Sequence, residues 1–317
     1  MEYAPQKSLI YGCMGLGGGW NTNAITAADE VAAEEAIDAV RAIGISIFDH
    51  ADIYTFGKAE EVFGRILKRK PSLRSEIVLQ SKVGICRGLG PNGANIYNLS
   101  QRYIVEAVEG VLKRLQTDHL DVLLLHRPDA LMVGEEIASA FSKLKEEGKV
   151  AQFGVSNMSV SQVSSIQRCW NEPLVANQLQ LSLGHTLMLD LGVAVNTRLV
   201  SVDSGMQGMV EYCHDKHMAI QAYSSLDKGL YTETPLDKLT PSQQDTSKLV
   251  VELSHKYNST LSSIVLAWLC MIPGNIQPII GTTKPSRIVA CKDALSIELT
   301  REEWYSLWIL ARGEKLP

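Results

Sequence analysis

Closely spaced cysteines are missing: the six present (Cys13, Cys86, Cys169, Cys213, Cys270, Cys291) are scattered, with no CxxC pair. That excludes a small disulfide framework and fits a reducing compartment. Long hydrophobic runs are missing too. No stretch reaches the ~18 apolar residues that span a bilayer, and the opening Met1-Glu2-Tyr3-Ala4-Pro5-Gln6-Lys7 has no apolar signal core. A cytoplasmic protein without a membrane partner is the expectation. There is no excess of positive charge, the net being -5, which argues against nucleic acid as the main partner. Linkers, low-complexity segments and breaks in composition are also absent, so nothing divides residues 1–317 into separate domains.

What is there is ordinary for a globular chain, 45% hydrophobic and 21% charged, and long enough to bury a large core. Residues 26–44 predict a helix: a Thr cap, Asp29 and Glu30 in the first turn, apolar Val31, Ala36, Ile37, Val40 and Ile43, and Gly44 as terminator. Strand and helix patterns then alternate. A strand to Phe48 precedes a helix over 58–70, a strand to Val83 a helix over 101–115, and a strand to Leu125 a helix over 135–147 ended by Gly148. The alternation continues through 152–155, 159–168, 174–180, 206–217, 219–222, 246–271, 278–280 and 285–293. Eight such units in one unbroken chain predict an α/β fold, a single-domain (β/α)8 TIM barrel with its active site at the carboxyl ends of the strands, rather than an open doubly wound sheet. Connections 86–100, 183–205 and 226–245 exceed the usual length and are expected to be lid or substrate loops after strands three, six and seven.

Residues 8–20 are rich in glycine, yet a dinucleotide fingerprint needs a helix opening at its last glycine. Here Asn21-Thr22-Asn23 follows, so the stretch reads as a first barrel strand and a loop in which Trp20 faces substrate.

Chemistry collects where the apolar runs end. Ile47-Phe48 is followed by Asp49, His50, Asp52 and Tyr54; Ile77-Val78-Leu79 leads to Lys82; Val122-Leu123-Leu124-Leu125 stops at His126. Each has a bland alternative, since a turn acid can cap backbone, a lone lysine can be solvated and a lone histidine can be structural. Asp52 is read in that way, as a capping residue. Three consecutive strands ending in such groups would bring the side chains together at one barrel mouth.

The order of Asp49 and Tyr54, Lys82, His126, Gly154-Val155-Ser156-Asn157, Gln178, Ala222-Tyr223-Ser224 and Ile280-Gly281-Thr282-Thr283-Lys284-Pro285-Ser286-Arg287 resembles the aldo-keto reductases, closest to their bacterial branch, whose closing helix is similar to Thr300-Arg301-Glu302-Glu303-Trp304. The resemblance implies an NAD(P)-dependent oxidoreductase reducing aldehyde or ketone carbonyls. It implies Tyr54 as general acid, Lys82 and Asp49 as its modulators and His126 as the group orienting the carbonyl. It also assigns Ser156, Asn157 and Gln178 to a nicotinamide carboxamide, Tyr223 to stacking on its ring, and Ser224, Ser225 and Leu226 to the pyrophosphate.

A phenol starts near a pKa of about 10, and an ammonium beside it is expected to lower that. Gly281, Thr282, Thr283, Lys284 and Arg287 form a strand-to-helix turn with hydroxyls, cations and free N–H groups suited to an anion, so NADP(H) is preferred to NAD(H). The chain departs from many relatives in having Ala290-Cys291 where Glu-Asn contacts adenine, Ile45-Ser46 where a Gly-aromatic-Arg opening stands, and His50 where a small residue is usual. No metal is expected. Cys213-His214-Asp215-Lys216-His217 has ligand types but no matching second pair, and His119, His185 and His255 have no supporting neighbours. Rival readings are a nucleotide-bound regulatory subunit with negligible turnover, and a barrel aldolase or isomerase using Lys82 as a Schiff-base amine. The latter leaves Gln178, Tyr223 and the Lys284–Arg287 turn unexplained. The substrate, the direction of reaction and the oligomeric state have no signature in the sequence.

Overall fold

A computed structural model describes residues 3–194 and 205–317. Eight parallel strands close a barrel: β1 Ile10–Gly12, β2 Ile47–Asp49, β3 Val78–Val83, β4 Leu120–Leu125, β5 Val150–Ser156, β6 Ala176–Gln180, β7 Ala219–Tyr223 and β8 Ile276–Ile280. Each pairs with the next, and β8 returns to β1 through Ile10 beside Ile279. Helices pack outside, which is why the strands read as continuous apolar runs: both faces are covered.

Local signals set the helix bounds. Ala27–Ala42 opens on a Thr26/Asp29 capping box and ends before Gly44, whose φ of 84° suits glycine alone among residues at low cost. Val160–Cys169 and Arg301–Arg312 open on the same reciprocal device, at Ser159 and Thr300. Other outer helices, Lys58–Arg69, Gly134–Glu146 and Leu261–Cys270, bury Phe63, Ile66, Phe141 and Trp268 on their inner faces, each contributing roughly 1.5–3 kcal/mol. Phe141 on its helix stacks on Phe153 of β5 with centroids 4.0 Å apart.

Inside the barrel the packing differs. One interior cluster packs Tyr3 with Ile10, Ile47, Val78, Val122 and Ile279, and four glutamines, Gln80, Gln178, Gln221 and Gln277, are also buried within the barrel. Amides are tolerated there because they satisfy one another.

The long connections carry more structure than their composition suggests. The first holds an antiparallel hairpin, Ile85–Cys86 against Ile96–Tyr97. The second contains the helix Leu187–Val193, while its residues 195–204 lie outside those described. The third ends at a Thr240 capping box that starts the helix Pro241–Lys256. The helix predicted over 246–271 is therefore two. Asn258 adopts φ 47°, and Thr260 accepts from the Ser263 amide at 3.1 Å to begin Leu261–Cys270. A left-handed residue followed by a new N-cap interrupts an apolar periodicity that runs on through both.

All six cysteines are free, and Cys213 lies against the sulfurs of Met209 and Met218 at 3.7 and 3.9 Å. Among the described residues no helix is long and apolar enough to cross a membrane.

Candidate active site

The carboxyl ends of β2, β3 and β4 meet at one mouth. Lys82 sits on β3, wholly buried, with its Nζ 2.6 and 2.7 Å from the two Asp49 carboxylate oxygens and 2.8 Å from the His50 carbonyl. Burial works to discharge the lysine, but Asp49 and Tyr54 outweigh it, and its pKa stands above the ordinary value. The carboxylate beside it thus favours the charged ammonium.

Tyr54 is positioned by its backbone. The Asp52 amide donates to the Lys82 carbonyl at 3.0 Å, zipping the chain past β2 onto β3. Thr55, Phe56 and Gly57 then all take positive φ, 46°, 65° and 87°, a strained turn costing roughly 1–2 kcal/mol for each non-glycine member. The result is a half-buried phenol ring 4.9 Å from the Lys82 Nζ and 6.1 Å, edge to face, from the His126 ring. Its pKa is pushed up to about 12, by burial first, with the Lys82 charge pulling the other way. The expectation of a lowered phenol pKa is thereby reversed, because desolvation exceeds the pull of a cation that is already neutralised by Asp49.

His126 is held well below the usual imidazole range by burial and by the cations of Lys82 and Arg127. A neutral ring with a buried, unpartnered Nδ1 can hydrogen-bond an oxygen but is a poor reservoir of protons at pH 7. His50 is buried with both ring nitrogens unpartnered, edge-on to Phe63 at 4.8 Å. Burial and Lys82 lower its pKa to about 3. Asp52 keeps a contact with the Ile53 backbone in the turn, but its Oδ1 is buried without a partner, and burial first, then the nearby Glu60 charge, raise its pKa to about 7.

A cleft of about 650 Å³ opens over this group. Asp49, Tyr54 and His126 line it, as do Trp20, Ser156, Asn157, Gln178, Tyr223, Ser224, Ser225, Leu226, Gly281, Thr282 and Arg287. Lys82, His50 and Asp52 lie behind this lining. Strand register explains part of the convergence, since Ser156 pairs with Gln178, and Gln178 with Gln221.

Asn157 and Ser224 follow their strands at φ 58° and 56°, turning side chains across the mouth. The Ser156 hydroxyl donates to the Gln178 carbonyl at 2.9 Å and accepts from Asn157 Nδ2 at 2.8 Å, and Tyr223 donates its hydroxyl to Asn157 Oδ1 at 2.9 Å. Ser225 ties its loop to β8 by donating to the Ile279 carbonyl at 2.7 Å. Trp20 is 49% exposed at the rim, in edge contact with Phe56, and the Arg87 guanidinium lies over both rings. Thr283 and Lys284 stand outside the lining. Thr283 packs where a Gly15 side chain would be, 2.9 Å from its ideal Cβ, and Lys284 is exposed.

Some partners have no motif in the sequence. Glu233, from the connection after β7, forms an ion pair with Arg287 at 2.6 Å inside the cleft. Gln80, mid-strand in β3, donates to Asp49 Oδ1 at 2.6 Å. A glutamine inside an apolar run was the only available signal.

Comparison with known proteins adds the lineage. The profile of the aldo/keto reductase family matches residues 8–310. The chain is 34% identical to the uncharacterized oxidoreductase YcsN of Bacillus subtilis (strain 168) over 277 residues, 86% of each protein. It is 30% identical over 311 residues to a 6-dehydroglucose reductase of Agrobacterium fabrum, covering 97% of this chain and 95% of that one. Among solved structures, the thermostable aldo-keto reductase Tm1743 superposes with a TM-score of 0.74 at 25% identity, over 95% of this chain and 94% of the other. The barrel, its mouth and these likenesses agree, and the chain belongs to the aldo/keto reductase family.

Proposed function

We propose that the protein reduces aldehyde or ketone carbonyls with NADP(H), Tyr54 acting as proton donor. The observation that carries this reading is the Lys82–Asp49 ion pair beneath the partly buried phenol, facing a neutral His126 across the cleft floor. Asp52 and His50 are not part of the lining, which favours Tyr54 over either of them as the donor.

A carbonyl at this mouth accepts hydrogen bonds from Tyr54 and His126, which fix its orientation. As negative charge grows on the oxygen, Tyr54 passes its proton to it, and the Lys82 ammonium stabilises the phenolate left behind. Solvent then restores the phenol proton. When bound, a reduced nicotinamide supplies the hydride.

The residues present suit that cofactor. Ser156, Asn157 and Gln178 bring amide and hydroxyl groups to the same lining as Tyr223, and Gly281 leaves open backbone, with nothing nearer its ideal Cβ than the Gly12 carbonyl at 4.0 Å. Arg287 is the lining cation on which a preference for a ribose phosphate would rest, and Glu233 opposes it. The 6-dehydroglucose reductase likeness favours a small carbonyl substrate.

The test is steady-state NADPH oxidation with a panel of aldehydes, for wild type and Tyr54→Phe. Repeated turnover that disappears in the variant, with NADPH binding retained, is expected. Equal rates in the two proteins would refute Tyr54 as donor, and oxidation limited to one turnover would favour a nucleotide-bound regulatory subunit.

A further inference from the structure

The cleft contains a charge that carbonyl reduction does not use. Three cations line it: Arg287, paired with Glu233; Lys228, exposed to solvent; and Arg127, next to His126. Among the described residues Arg127 is the one that is half-buried and has neither an ion pair nor a side-chain hydrogen bond. The carboxylate nearest in sequence, Asp129, is engaged elsewhere, accepting from the amides of Leu99 and Leu131 at 2.9 and 2.8 Å. The Arg127 charge reaches the reaction centre, since it helps depress the His126 pKa.

Arg127 also stands at the junction of the cleft with a side recess of about 230 Å³. Among the described residues that recess is lined by amides, a histidine, a phenol and apolar groups, with Arg127 its only cation and no carboxylate. A guanidinium partly stripped of water, with no paired carboxylate among the described residues and with room beside it, suits an anion on the ligand. Charge counting narrows the class. Lys82 cancels Asp49, Arg287 pairs with Glu233 and His126 is neutral, so among the described lining Arg127, Lys228 and Asp227 leave one net positive charge, matching one carboxylate better than a phosphate dianion.

We propose that Arg127 binds a carboxylate on the substrate, so that the preferred substrates are carbonyl compounds bearing an acid group. This rests on the reductase reading above. The substrate's carbonyl is held between Tyr54 and His126 while its carboxylate takes paired hydrogen bonds from Arg127, a specificity contact rather than a catalytic one.

The experiment compares 4-carboxybenzaldehyde with its neutral methyl ester, methyl 4-formylbenzoate, in wild type, Arg127→Gln and Arg127→Lys. The readout is the ratio of kcat/KM for acid over ester. A charge-assisted contact of this kind supports a ratio roughly ten- to a hundredfold higher in wild type than in R127Q, with R127K in between. A wild-type ratio at or below one, or an unchanged ratio in R127Q, overturns the proposal. Titration calorimetry with benzoate and benzamide decides the matter independently of turnover. Benzoate binding that R127Q weakens while benzamide binding stays the same supports Arg127 even if neither aldehyde is reduced, an outcome that would sink the reductase reading alone. Benzoate binding that is absent in wild type, or equal in both proteins, overturns it.

Discussion

Gln80 and Gln221, on strands β3 and β7 at opposite sides of the barrel, exchange two amide hydrogen bonds of 2.8 and 2.9 Å. The pair connects Asp49 at the mouth to the buried Tyr3. Gln80 and Gln178 both donate to Asp49 Oδ1, at 2.6 and 3.2 Å, and Gln221 Nε2 reaches the Tyr3 hydroxyl at 3.3 Å. The Tyr3 hydroxyl in turn donates to Gln277 at 2.7 Å. Asp49 is thus held by Lys82 and by two amides whose own orientation depends on Gln221.

Removing that organiser should be felt at both ends. Gln221→Leu leaves the buried Gln80 Oε1 without its donor and takes one of two acceptors from the Gln80 and Gln178 amides, at a cost of roughly 1–3 kcal/mol. Denaturant unfolding should show the loss. Turnover should also fall, because Asp49 is less firmly placed; unchanged stability in Q221L would mean that the glutamine chain is not a supporting network.

The Lys82–Asp49 pair is almost fully buried, with both side chains at most 2% exposed. Lys82→Met strands a carboxylate in the barrel and should destabilise by about 3–5 kcal/mol. The double variant Lys82→Met/Asp49→Leu removes both charges and should recover much of that stability while remaining inactive. Recovery of activity along with stability would show that the ammonium has no part in the reaction.

Stability should fall on the alkaline side through Asp52. Its folded pKa is about 7 against an ordinary 3.8, with burial as the first cause. The folded state therefore holds the proton more tightly than the unfolded chain, so stability is full below pH 3.8 and is lost progressively as pH rises to about 7. His50 has the opposite slope: a folded pKa of about 3 against 6.5 means that acid favours the unfolded chain between those values. Asp52→Asn isolates the first effect. Its stability advantage over wild type should be larger at pH 8 than at pH 5 in urea unfolding, and an equal advantage at both would contradict the assignment.

Cofactor preference should respond to Glu233. Its pair with Arg287 is 40–45% exposed, and such pairs contribute only about 0–1 kcal/mol. Glu233→Gln frees the guanidinium for a ribose phosphate and should lower the Kd for NADPH by up to about fivefold, with little change for NADH. Equal shifts for both cofactors, read by fluorescence titration, would remove Arg287 from the preference.

The sequence by itself determined the alternation of strand and helix, the cap at Thr26, and the strand exits that bear Asp49, Tyr54, Lys82 and His126. These are legible because burial on both faces writes an apolar run, and the residue that ends the run stands at the barrel mouth wherever the strand lies in the ring. Closure of the barrel decided the rest. Only when β3, β6, β7 and β8 enclose a common interior do Gln80, Gln178, Gln221 and Gln277 find one another, and no spacing along the chain encodes that meeting. Only in the assembled site do desolvation and neighbouring charges raise the Tyr54 and Asp52 pKa values and lower those of His50 and His126. The Glu233–Arg287 pair and the unpaired charge of Arg127 likewise depend on which carboxylates the fold brings within reach, a matter of distance in space rather than order in sequence.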